Sequence, residues 1–209
     1  MDLYGNYVDQ LCRKYVRKND RVFDCGCGGG SHTEIICRYS GDVIGGDFDN
    51  RLEKKYSINF RKIGINSYGQ ENEFNVVTAF DVIEHVEDDQ SFLVELIRLT
   101  KAGGVIIIGT PNRNRLSNKI ISILKGKITY PYKVGYHFES GGDILHLREY
   151  TKKDLKNLAE KIGNGEVIKT YSSFLGLYIP KIGPVGSKAL NVRFFKKYCQ
   201  HLFLVLRKK

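Results

Sequence analysis

No stretch of this chain approaches the roughly 18 apolar residues that a membrane-crossing helix needs. The opening "MDLYGNYVDQ" has neither the basic start nor the apolar run of a secretion signal. There is no internal repeat and no low-complexity tract. Cysteine offers no disulfide framework, because Cys12, Cys25, Cys27, Cys37 and Cys199 are odd in number and scattered, a usage that suits a reducing compartment. These absences argue against a spanning protein and a stapled secreted scaffold, and a cytoplasmic location is the expectation. At 209 residues, 42% of them hydrophobic, the chain is long enough to bury a core as a single domain, 1–209, without crosslinks or structural metal.

Acid is missing from two segments. Arg113 to His137 holds six Lys or Arg and no Asp or Glu, and the chain after Glu166 holds nine and again no acid. With a net charge of +10, the sequence reads as a mildly acidic core carrying two basic surfaces suited to an anionic partner.

The first two-thirds alternates short apolar runs with helical patterns, which is the signature of βαβ units and a parallel sheet. Strands are expected at 21–24, 42–47, 56–63, 74–80 and 103–110, with helices at 31–40 and 90–100. A basic insertion then interrupts the rhythm, taken as 113–145, with one helix near its start. "TKKDLKNLAEKIG" (151–163) predicts a well-marked helix: Thr151 caps it, Asp154 completes a capping-box-like pair and Gly163 stops it. Strands at 166–175 and 200–208 close the chain.

"VFDCGCGGGSH" (22–32) places four glycines in five positions between a strand and a helix start. Glycine tolerates positive φ and lets a backbone touch a ligand, and the unpaired amides of the following helix favour an anionic group. Asp47 stands 17 residues after Gly30, at the end of the next strand, where an acid can bind ribose hydroxyls. The pair indicates a nucleoside ligand. The dinucleotide pattern Gly-x-Gly-x-x-Gly fails at its third position, which is Ser31, and this disfavours the alternative of a nicotinamide-dependent oxidoreductase. No zinc pattern is present either, since one residue separates Cys25 from Cys27.

The run Asp24-x-Gly26-x-Gly28-x-Gly30 resembles the first motif of the class I S-adenosylmethionine-dependent methyltransferases. The likeness continues through "VIGGDFD" (43–49), "FNVVTAFDVIEHVED" (74–88) and "RLTKAGGVIIIGTPN" (98–112). It implies an α/β, Rossmann-like fold: a seven-stranded, mostly parallel sheet with an antiparallel last strand, helices on both faces and a small basic insertion after strand five. It also implies S-adenosyl-L-methionine as cofactor and methyl transfer, most simply to oxygen. A protein of the same fold that binds the cofactor without catalysis is the other alternative.

By this resemblance, Gly26, Cys27 and Gly28 run along the methionine part of the cofactor, and Asp24 braces the loop. Asp47 holds the ribose, Phe48 lies against the adenine, and Phe80 and Asp81 close over the methionine end. Asn66 stands in for the acid that relatives use to receive the adenine amine, or is a turn residue.

"DVIEHV" (81–86) gathers Asp81, Glu84 and His85 where α/β active sites lie. His85 is the candidate general base. The ubiquinone-type O-methyltransferases carry Glu-x-x-Glu-His here and are thought to bind magnesium with it. Here aspartate comes first; part of a divalent-cation site is the alternative reading of Asp81, Glu84 and His85, a structural turn is the other, and no metal is assigned. His146 and Arg148 precede the capped helix and are candidate substrate-binding residues.

In "RLSNKIISILKGKI" (115–128), Leu116, Ile120, Ile121, Ile123 and Leu124 fall on one side of a helix, and Arg115, Asn118, Lys119 and Lys125 mainly on the other. Such a helix suits a membrane interface, a lid over an apolar acceptor, or a cap packed on the sheet. The acceptor is therefore expected to be small or lipid-linked. An anionic membrane surface is a candidate partner through 113–133 and the basic C-terminal part, which adds a peripheral place at the membrane to the expected cytoplasmic location. Nucleic acid is disfavoured, since no RNA-binding module and no Asn-Pro-Pro-Tyr-like motif is found.

Overall fold

A computed structural model of the chain describes residues 2–64, 68–137, 142–179, 183–187 and 195–209. Its centre is a seven-stranded sheet. β1 (Arg21–Cys25), β2 (Asp42–Asp47), β3 (Asn59–Lys62), β4 (Phe74–Phe80) and β5 (Thr100–Pro111) run parallel. β11 (His201–Lys208) is antiparallel and lies between β5 and β8 (Gly165–Ser172). The strand order is β3-β2-β1-β4-β5-β11-β8. Such a sheet needs cover on both faces.

The cover is sorted by side-chain alternation. Phe23, Val77, Ile106, Ile108, Leu202 and Leu204 point to one face, where α3 (Asp89–Leu99) and α5 (Lys152–Ile162) pack Leu93, Leu96, Leu155 and Ala159. Val22, Val76, Ile107, Phe203 and Val205 point to the other, under α1 (Leu3–Tyr15) and α2 (Ser31–Cys37). Thr151 and Asp154 form a capping box at the start of α5, and Gly163 ends it at φ +78°.

Helix α1 has no counterpart in the sequence reading, although its signal is present. Tyr4, Val8, Leu11 and Cys12 recur at helical spacing and are buried, and Asp2 Oδ1 accepts from the Gly5 amide at 2.6 Å. The boundaries also shift. α2 ends at Cys37 rather than 40, and β3 begins at Asn59 rather than 56, with the Tyr56 and Ile58 side chains packed beside Gly30.

After β5 come α4 (Leu116–Lys125) and a hairpin of β6 (Tyr132–His137) and β7 (Gly142–His146). A second hairpin pairs β9 (Leu175–Ile179) with β10 (Gly183–Ser187), where the sequence reading carries the preceding strand on to residue 175. No helix among the described residues is long and apolar enough to cross a membrane.

β1 and β2 approach closely at Gly46, where an added Cβ would sit 2.3 Å from Phe23 Cζ. That ring is buried and stacks on Phe74 with centroids 4.9 Å apart. Gly46→Ala is therefore expected to destabilise the protein by about 1 to 3 kcal/mol through overpacking. An unchanged denaturant midpoint would contradict this packing account.

Candidate active site

The carboxyl ends of β1, β2, β4 and β5 gather the expected residues. The glycine loop bends sharply after β1, with φ of +76° at Gly26, +51° at Gly28 and +88° at Gly30. A Cβ on Gly28 would meet nothing within 4 Å, so this part of the loop faces open space that a ligand can occupy. The amides of Gly26 and Cys27 donate to the Gly46 carbonyl at 2.7 and 3.1 Å, which ties the loop to β2. The Gly28 amide donates to Asp47 Oδ2 at 2.8 Å. Asp47 also accepts from the Phe48 amide and from Arg51, whose Nη2 lies 3.1 Å from both carboxylate oxygens. Phe48 beside it is 52% exposed, an aromatic face left open.

Asp24 lies beneath the loop. Its carboxylate accepts from Thr33 Oγ1 and Thr78 Oγ1, both at 2.6 Å, and so links β1, β4 and α2. Cys25 is buried in the core and Cys27 packs by the loop. Burial pushes the Cys25 thiol well up and the Cys27 thiol up to about 12, so neither is a reactive thiolate near neutrality.

At the end of β4, Asp81 holds a left-handed φ of 55°, a strained conformation for a residue with a side chain. Phe80 is buried, and the Asp81 amide donates to the Gly109 carbonyl at 2.9 Å. Asp81 Oδ1 is enclosed without a hydrogen-bond partner among the described residues, 4.0 Å from His201 Nε2. Burial raises the Asp81 carboxyl to about 7. Burial also lowers His201 to about 3, helped by the charge of Arg115, so its imidazole stays neutral.

Glu84 and His85 lie on the following single turn, Ile83–His85. Glu84 is fully buried, its Oε2 accepts from Thr110 Oγ1 at 2.9 Å, and burial followed by the charge of Asp81 pushes its pKa well up. His85 Nδ1 lies 2.7 Å from the Leu145 carbonyl. A carbonyl only accepts, so Nδ1 carries the hydrogen and Nε2 is the basic nitrogen of the neutral ring. Glu84, His85 and His146 each bring one ligand-capable atom within 4.8 Å of the others, a geometry that a metal ion or a shared proton would fit. Asp81 is not in this group. It turns toward Tyr4 and His201 instead.

His146 is nearly buried, its ring 4.9 Å from that of His85 between centroids. Arg148 is engaged elsewhere: Nη1 donates to the Val86 carbonyl at 2.8 Å, Nη2 to Glu87 at 2.7 Å, and Asp89 lies 3.4 Å away. Asn66 lies outside the described residues. Tyr4, Arg115, Glu149 and His201 also stand at this end of the sheet, and sequence reasoning passes over them.

A methyltransferase domain model matches residues 5–164. The chain belongs to the methyltransferase domain family. The methyl donor of such methyltransferases is S-adenosylmethionine, and the open glycine loop beside Asp47 suits it. The ubiquinone biosynthesis O-methyltransferase of Nitrosomonas europaea is 32% identical over 120 residues, covering 52% of this chain and 50% of that one. The protein of the same name from Pseudomonas fluorescens is 31% identical with the same coverage. The chain thus spans about half the length of the curated relatives it matches. Among solved structures, a putative methyltransferase from Bacillus halodurans is similar with a TM-score of 0.67 and 16% identity, covering 98% of both chains. A putative S-adenosylmethionine-dependent methyltransferase from Listeria monocytogenes gives 0.65 and 14%, covering 99% of both. At such identity the two structures show the shared methyltransferase fold.

Because Asp24 is pushed up to about 6, chiefly by burial, the ligand-free fold favours its protonated form. The stability this contributes is full below about pH 4, the unfolded value, and is lost as pH rises through about 6. Asp24→Asn should remove that slope. Between pH 4 and pH 7 the wild type should lose roughly 2 to 3 kcal/mol relative to the variant in denaturant titrations. Parallel pH curves would contradict the buried carboxyl.

Proposed function

We propose that this chain transfers a methyl group from S-adenosylmethionine to an oxygen of a small or lipid-linked acceptor, with His85 as general base. The observation that carries the chemistry is the 2.7 Å contact of His85 Nδ1 with the Leu145 carbonyl, which makes Nε2 the basic nitrogen at the carboxyl ends of the strands. The relatives' name, O-methyltransferase, supports oxygen as the target.

When bound, the cofactor supplies a methyl group activated on a sulfonium. His85 Nε2 would take the proton of the acceptor's hydroxyl, whose oxygen would gain the methyl group while the cofactor would leave as a neutral thioether. Holding donor and acceptor in line supplies much of the acceleration. Gly26, Cys27 and Gly28 contribute backbone beside the methionine part of the cofactor. The Cys27 carbonyl already accepts from the Gly30 amide at 2.9 Å, so the Gly26 carbonyl is the one suited to an ammonium group. Asp24 braces that loop from below. Asp47 receives the ribose hydroxyls, sharing its oxygens with Arg51, and the exposed Phe48 covers the adenine. Asn66, outside the described residues, is proposed as the partner of the adenine amine. Phe80 and Asp81 close the methionine end. His146 lines the acceptor side, and Arg148 serves it indirectly by holding the loop after His85.

The reading of the acceptor as lipid-linked, and of a peripheral place on an anionic membrane, is supported by α4. Its polar Asn118 is buried against Glu149, while Ile123 and Leu124 are 83% and 76% exposed and Ile120 and Ile121 are also exposed. Lys119 and Lys127 are exposed nearby, and an apolar face rimmed by cations suits an anionic bilayer.

His85→Ala is expected to lower kcat by about 100-fold or more while cofactor affinity stays within a factor of about three. Near-normal turnover would end the assignment of the base. Vesicles containing anionic lipid should carry the protein upward in a flotation gradient at low salt, and the pair Ile123→Ser and Leu124→Ser should abolish this. Absence of wild-type flotation would remove the membrane part of the reading.

A further inference from the structure

The side chain of Glu149 is completely enclosed, with five donors around its carboxylate. Asn118 Nδ2 and Tyr130 OH donate to Oε2 at 2.8 and 2.9 Å. Oε1 accepts from Tyr132 OH, faces His146 Nδ1 at 3.0 Å, and has Arg115 Nη1 2.6 Å away. Burial alone would raise this carboxyl, but His146, Arg115 and Tyr132 hold it down at about 2. It is therefore a permanent anion. Donors from α4, from β6, from the segment between them and from β7 all converge on it, so one carboxylate ties the insertion together.

That anion constrains His146. A carboxylate only accepts, so the hydrogen of the neutral imidazole lies on Nδ1 and the lone pair on Nε2. Tyr132 reinforces this. It gives its own proton to Glu149, and its oxygen, 3.1 Å from His146 Nδ1, is a second acceptor there. With Nδ1 committed, Nε2 is the nitrogen left to meet His85, whose ring lies edge to face with His146 at 4.9 Å. β7 restrains both rings, since His146 belongs to it and Leu145 supplies the carbonyl facing His85.

We propose that Glu149 is a positioning residue for methyl transfer: it fixes His146 in the Nδ1–H tautomer, so that His146 Nε2 accepts the hydrogen bond of the imidazolium His85 becomes. This rests on the reading of His85 as base and extends it. The proton leaves the acceptor's hydroxyl for His85 Nε2 and is then shared with His146 Nε2, beside the fixed negative charge of Glu149. The order carboxylate, imidazole, imidazolium keeps the transferred proton from returning to the acceptor oxygen, and no outside reagent is needed.

Two measurements on the full chain test it, both in EDTA so that no metal ion can take the proton's place. Long-range 15N–1H NMR on the wild type at a pH where His146 is neutral should show its Nδ1–H tautomer, and an Nε2–H tautomer would overturn the proposal whatever the activity. In steady-state assays, Glu149→Gln should lower kcat at least tenfold with the calorimetric Kd for S-adenosylmethionine within twofold of wild type. Asn118→Ala and Tyr130→Phe, which remove donors only from Oε2, should keep kcat within about threefold. A Glu149→Gln enzyme of normal kcat, or three variants losing kcat equally, would overturn the positioning role. A fully active His85→Ala enzyme would instead remove the base reading, while the His146 tautomer would still report separately on Glu149.

Discussion

The buried carboxylate of Asp24 holds the ligand end of this fold together. It sits at the end of β1 and takes one hydroxyl from Thr78 on β4 and one from Thr33 on α2, each at 2.6 Å. The glycine loop is strung between these anchors, and the Gly46 carbonyl ties it to β2. Both hydroxyls favour its carboxylate, but the charged form is costly so deep in the protein. The loop can therefore adopt three left-handed residues in a row of five and still present a fixed surface. The helix amides, Asp47 and the open space over Gly28 keep their relation only while that anchor holds.

The acceptor side is organised differently. There the turn after β4 supplies Asp81, Glu84 and His85, β7 supplies His146, and Arg115, Asn118, Tyr130 and Tyr132 join His146 in a hub around Glu149. Buried carboxylates of two kinds stand close together. Asp81 and Glu84 are pushed toward neutrality by burial, whereas Glu149 is kept ionised by the donors around it. Separation of neighbouring acids in this way marks out roles for proton-handling groups. The same stretch buries Asn118 against Glu149 and leaves apolar side chains of α4 exposed. One short segment thus carries both an exposed apolar face and donors to the Glu149 carboxylate.

The cofactor half was legible because its signals are local. A strand, a glycine run, a helix and an acid 17 residues later lie in one βαβ unit, and the structure keeps them in that relation. Fold class, the antiparallel last strand and the caps of α5 followed from periodicity, capping residues and the family resemblance. Helix α1 was readable from Tyr4, Val8, Leu11 and Cys12, but obscured because its first turn carries the poor helix formers Gly5 and Asn6. The Glu149 hub was not readable, because its partners span residues 115 to 146 and only the chain's return brings them together. Arg148 is a contrasting case. A cation beside a capped helix suggests a ligand site, yet the carbonyls of Val86 and Glu87 had already claimed its donors.

The central claim is that the glycine loop and Asp47 form a site for S-adenosylmethionine in this chain. Isothermal titration calorimetry of the purified protein with S-adenosylmethionine, and separately with NAD, tests it most directly. The account predicts one site with micromolar or tighter affinity for S-adenosylmethionine, affinity at least about tenfold weaker in Asp47→Ala, and no heat with NAD. Saturable binding of NAD with none of S-adenosylmethionine would contradict it.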